Sequence, residues 1–153
     1  MREKQQTNCR NGLDFEHEAE DILTDNGIPF MSQVDFKNIN ARCDVVLFGR
    51  YNKIYNLSIK RSLRERYKLS AFEQVGLQQL YGRKAKTYIV TNRGREAENL
   101  IARIPKSTDL KNNLAGVIYI DELADFVNGM RIVAPKVKDK RITRYHATRS
   151  NLG

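Results

Sequence analysis

A chain of 153 residues, 41% hydrophobic and 29% charged, has the size and composition of one globular domain with one core. No apolar run approaches the ~20 residues that a membrane span needs. Two cysteines, Cys9 and Cys43, and two histidines, His17 and His146, are too few for a disulfide framework or a zinc site, so a metal bound here would be a hard, oxygen-ligated cation.

The formal charge is +9 and the pI is near 9.7. That excess favours a polyanionic partner, because phosphate counterions released on binding drive association. A ribosome-associated or simply alkaline protein is the plainer alternative. The opening Met1-Arg2-Glu3-Lys4-Gln5-Gln6 is polar and lacks the apolar segment of a signal peptide, which makes an intracellular, cytoplasmic protein the expectation.

In chain order, residues 1–11 read as a polar, frayed start. Leu13, Phe15, Ala19, Ile22 and Leu23 then recur at helical spacing up to the Gly27 stop. Ile28 to Val34 reads as a strand and Asp35 to Ala41 as a loop. Cys43 to Phe48 and Ile54 to Lys60 read as two strands joined by the turn residues Gly49-Arg50-Tyr51-Asn52-Lys53. A hairpin centred on Tyr51 sets Asp44 opposite Ser58. The strand period of two puts Ser58 and Lys60 on one face and Ile59 on the other.

Leu69 to Tyr81 reads as a helix with Leu69, Phe72, Gly76, Leu77 and Leu80 in its buried stripe. Glu73 falls in the same stripe, where a charge needs a partner or a cation. Lys86 to Thr91 reads as a strand, Arg93 to Arg103 as a helix and Gly116 to Ile120 as a strand. Asp121 is placed to cap a short helix ending near Val127, and Arg131 to Ala134 reads as an edge strand. The order predicts an α/β fold, a central mixed sheet flanked by helices. A core domain of 1–135 is expected, followed by a basic tail, 136–153. The tail reads as a solvated arm or, with Tyr145 and His146 among its cations, a nucleic-acid arm.

These elements bring candidate chemistry to one end of the sheet. Hydrolysis of a phosphodiester needs a cation to polarise the phosphoryl group and activate water. Magnesium takes carboxylates, main-chain carbonyls and waters. Asp44, Glu73 and the Ile59 carbonyl are the candidate metal ligands, with Lys60 to orient or deprotonate water and Glu16 as a supporting acid. Each has a plainer reading: Asp44 as a turn acid, Lys60 as edge protection, Glu73 as the ion-pair partner of Arg64 or Lys68, and Glu16 as one acid among several on its helix.

Glu16, Asp44 and Lys60, in this order, resemble the PD-(D/E)XK nuclease superfamily. Most members carry an acid two residues before the lysine, where this chain has Ser58, and often a proline before the strand acid, where it has Cys43. The run Ser58-Ile59-Lys60, Arg64-Glu65-Arg66 and then Glu73 resembles a branch of type II restriction endonucleases that cut CC/GG-containing sites. In that branch the missing acid has moved to the following helix. The match runs from about Asp44 to Glu73.

The resemblance implies a restriction-endonuclease-like core (αβββαβ), Mg2+ as cofactor, and base reading by Arg64, Glu65 and Arg66, with Arg61 and Lys68 as further DNA contacts. Arginine forks onto guanine and a carboxylate accepts from cytosine, which agrees; a backbone-binding loop is the alternative. The expected function is a sequence-specific double-stranded DNA endonuclease of restriction or homing type. It would act as a homodimer or homotetramer, since one site per chain must cut two antiparallel strands. A Holliday junction resolvase and a catalytically inactive DNA-binding protein with this fold are the rivals.

Overall fold

The computed structural model describes residues 2–64 and 66–147, with side chains for 14–64 and 66–146. The chain is α/β, a seven-stranded mixed open sheet with helices on both faces. Helix α1 (Arg2–Asp25) leads into an antiparallel meander of β1 (Met31–Phe36), β2 (Arg42–Gly49) and β3 (Ile54–Ile59). Helix α2 (Tyr67–Tyr81) then crosses over to β4 (Ala85–Thr91), which lies parallel to β3. Helices α3 (Arg95–Arg103) and α4 (Thr108–Asn113) precede β5 (Gly116–Tyr119), again parallel. Helix α5 (Leu123–Asn128), β6 (Ile132–Val133) and β7 (Ile142–Ala147) finish the domain.

The strand order is β5-β4-β3-β2-β1-β7, with β6 pairing the far end of β2 at Phe48 and Gly49. On one face, Phe15, Ala19 and Leu23 of α1 and Leu123 and Val127 of α5 pack on Val45, Leu47, Leu57, Ile59 and Val90. On the other, Leu77 of α2 packs on Val46, Phe48 and Ile54, and α3 and α4 cover Ile89 through Ala97, Leu100 and Leu110. Gly76 lets α2 approach the β1–β2 loop, because a Cβ there would lie 2.9 Å from Ile39.

Four features depart from the sequence reading. Helix α1 begins at Arg2 rather than near Gly12; Arg, Glu, Lys and Gln in that stretch are good helix formers that extend an amphipathic helix already anchored downstream. Leu69 and Phe72 are 59% and 58% exposed. The buried face of α2 is instead Ser70, Glu73, Gln74 and Leu77, because the strand face below it carries Asn56, Ser58 and Thr87 and needs polar partners. Asp121 does not cap α5, whose N-terminus has no side-chain cap; it pairs with Arg93 at 2.7 Å.

The fourth concerns the segment read as an arm. Ile142–Ala147 forms β7 and pairs antiparallel with β1 at the sheet edge. Its exposed Arg144 and His146 fit the way edge strands resist further pairing. Residues 148–153 lie outside the described residues. Among the described residues, no helix is long and apolar enough to cross a membrane.

Candidate functional site

The β2–β3 ladder runs from Phe48↔Ile54 to Val45↔Leu57. Extended by one residue, it sets Asp44 opposite Ser58, the expected register. Beyond Val45 a side chain takes over from the backbone: Asp44 Oδ2 accepts the Ile59 N–H at 2.9 Å and lies 3.3 Å from Lys60 Nζ. On its other side β3 stays zipped to β4, with the Lys60 N–H donating to the Val90 carbonyl at 2.9 Å. Asp44 is thus anchored at the point where two strands part, beside a half-buried lysine.

Helix α2 lies over the same end of β3. Ser70 and Ser58 share a buried hydrogen bond of 2.6 Å. One turn on, Glu73 accepts from Asn56 Nδ2 at 2.9 Å, and that amide also reaches Thr87 Oγ1 at 3.3 Å. Thr87 donates to Gln74 Oε1 at 2.7 Å, while Gln74 Nε2 donates to the Ala85 carbonyl. Asn56 Oδ1 is the one buried side-chain polar atom without a partner among the described residues.

Glu73 is 5% exposed. Burial pushes its pKa up to about 7, against the opposing pull of the Asn56 amide and the Lys60 charge, and Asp44 pushes it further the same way. Glu16, from α1, is half-buried and accepts from Gln33 Nε2 at 3.3 Å. Burial raises its pKa too, and Asp44 is the next cause. Glu20, one turn along α1, is raised by burial and held down by a hydrogen bond from Ser32. Glu16 and Glu73 therefore each feel the charges of Asp44 and Lys60 at this end of the sheet.

Such a donor set suits magnesium. It is all oxygen, it holds more negative charge than Lys60 balances, and Mg2+ is commonly held by one or two carboxylates with waters and substrate completing its shell. The Ile59 carbonyl points along the same strand edge as its N–H, which Asp44 holds. Among the described residues, no three His, Cys, Asp or Glu side chains gather closely enough to form a metal cage. An ion here would rest on Asp44 and Glu73 rather than on an all-protein shell.

Past Lys60 the chain turns through the proposed reading loop. Arg61, Arg64, Arg66 and Lys68 are all exposed, and Glu65 lies outside the described residues. Leu63 is buried among Ile89, Ala97 and Leu100. Arg64 has φ of 30°, a left-handed conformation that a non-glycine residue holds only when its surroundings enforce it. Glu96, in the first turn of α3, supplies the hold: Oε2 accepts the N–H groups of Leu63 at 2.8 Å and Arg64 at 3.1 Å. Those backbone donors keep its carboxyl below the usual range.

Sequence reasoning missed Asn56, Gln74 and Glu96. Asn56 was open to discovery, since the alternation that places Ser58 and Lys60 on one face places Asn56 there too. Glu96 carried no signal, because its partners are backbone groups about thirty residues earlier.

No protein-family model matches the chain, and no curated protein matches it.

Proposed function

We propose that the chain is a magnesium-dependent endonuclease that hydrolyses phosphodiesters of double-stranded DNA. On this reading it has a restriction-endonuclease-like core of α1, β1–β3, α2 and β4. The observation that carries it is the Asp44 carboxylate, fixed where β2 and β3 part, 3.3 Å from Lys60 Nζ and electrically coupled to Glu73 and Glu16. Strand acid, strand-end lysine and helical glutamate can supply metal ligands and a cation to orient water, drawn from positions far apart in the chain.

A bound Mg2+ would polarise the scissile phosphoryl group and lower the pKa of an attacking water. Asp44 and Glu73 hold that ion, with the Ile59 carbonyl alongside. Lys60, kept in place by Asp44, orients the water and offsets charge on the phosphate. Glu16 stands behind Asp44 as a further acid. Arg61, Arg64, Arg66 and Lys68 project into solvent beside this end of the sheet, where they can contact the duplex. Arg64 and Arg66 are the proposed readers of G·C pairs, with Glu65 completing the motif. Two copies acting together would cut the two antiparallel strands.

The test is cleavage of a duplex library in magnesium and in chelator. The wild type should cut in magnesium alone. Lys60→Ala should lose cleavage by about 10²–10⁴-fold while its duplex Kd stays near wild type. If neither protein cuts but both bind duplex, the chain is a DNA-binding protein with this fold. Cleavage of four-way junctions in preference to linear duplex would favour a resolvase instead.

A further inference from the structure

We propose a second nucleic-acid site, at the opposite end of β3 from Lys60, that takes a nucleotide unit of a single strand. A cavity of about 430 Å³ opens there between the β2–β3 hairpin, the start of β4 and the end of α5. Its rim carries Arg50, Lys53, Lys86 and Arg131, and its walls carry Tyr51, Tyr55, Tyr88 and Phe126. No acidic side chain lines it. Among the described residues none of the four cations is in an ion pair, so all four stay available to an anion.

The aromatic walls are built into place. Gly49 has no Cβ, and one there would meet the Tyr55 ring at 2.8 Å; the missing side chain is the room that ring occupies. Tyr88 is held edge-on against Phe126, with ring centroids 4.9 Å apart. Tyr51 stands at the hairpin tip, 81% exposed, at φ of 61°, where a glycine or asparagine would be the easier choice. An acid-free cavity with aromatic walls and four unpaired cations matches a base that stacks and phosphates that bind the rim. A rigid duplex, its bases already stacked, offers no free base to such walls, so the fit is to a single strand.

The site does not rest on the nuclease reading, and the test keeps the two apart. Binding of a fluorescent 12-nucleotide single strand is followed by anisotropy in chelator, where no cleavage enters. The protein has no tryptophan and seven tyrosines, so the part of the tyrosine quenching that is lost in Tyr51→Ala reports stacking on that ring.

Lys53→Ala/Arg131→Ala should weaken single-strand binding at least about tenfold and flatten its logarithmic salt dependence by about 1.4, two contacts at about 0.7 each. Tyr51→Ala, at an exposed tip, should weaken it about tenfold by lost stacking. Arg64→Ala should leave it unchanged. Competition by adenosine monophosphate at the same rim would assign the cavity to free nucleotides; no competition would assign it to strands. Unchanged single-strand affinity in both the Lys53/Arg131 and Tyr51 variants would overturn the proposal, as would an equal loss in Arg64→Ala, which would place the strand in the cleavage cleft.

Discussion

Replacing Glu73 with glutamine separates a buried metal ligand from an ordinary ion-pair partner. Burial raises the pKa of this carboxyl from 4.5 to about 7, and each pH unit between corresponds to about 1.4 kcal/mol. Ionised Glu73 therefore costs the folded state about 3 kcal/mol when no cation is bound. The folded protein keeps the proton to higher pH than the unfolded chain does. Stability is thus fully present below about 4.5, declines as pH rises to about 7, and stays lower above it.

Glutamine cannot ionise and still accepts from Asn56 Nδ2. Glu73→Gln should match wild type near pH 4.5 and exceed it by about 3 kcal/mol at pH 8 in chelator. For a domain of this length, that is a Tm higher by about 6–12 °C. Magnesium should close the gap: at about 100 times Kd it stabilises wild type by about 2.7 kcal/mol and leaves the variant unmoved. Thermal unfolding followed by circular dichroism at the two pH values reads all of this. A variant less stable than wild type at pH 8 would refute the reasoning, since that is the outcome for a glutamate ionised and paired with Arg64 or Lys68.

Three further outcomes follow from other contacts. Arg64→Ala should cost about 1–3 kcal/mol on duplexes carrying the preferred site and relax base choice there, whereas an equal loss on every sequence would mark a phosphate contact. Glu96→Ala removes the acceptor for the Leu63 and Arg64 N–H groups. Amide exchange at both should quicken about tenfold with the sheet amides unchanged, and site preference should fall with it. Gly49→Val forces a side chain against the Tyr55 ring and should destabilise by about 1–3 kcal/mol, read from denaturant unfolding.

The hairpin was the most legible part of the chain. Turn residues around Tyr51 and alternation in β3 were enough to place Asp44 against Ser58, because strand register is fixed by period and loop length together. The phase of α2 was not. Leu69 and Phe72 read as core, yet they face outward and Ser70 and Gln74 face in, since the sheet surface they must cover is polar. Glu73 was placed on the buried side by its spacing to both Leu69 and Leu77, of which only Leu77 is buried.

Strand β7 was hidden by its composition. In Ile142-Thr143-Arg144-Tyr145-His146-Ala147 a weak alternation is masked by surrounding cations, and its pairing with β1 spans about a hundred residues. Helix α4 was missed because it is one short turn-and-a-half, although Ser107, whose hydroxyl accepts the Leu110 N–H, was a visible start signal.

Anomalous diffraction from a crystal grown with Mn2+ in place of magnesium tests most directly whether one ion joins the strand acid to the helical acid. We expect a single strong peak at the parting of β2 and β3, ligated by both Asp44 and Glu73. A peak touching only one of the two, or manganese bound elsewhere on the molecule while Glu73 stays closed on Asn56, would contradict the account.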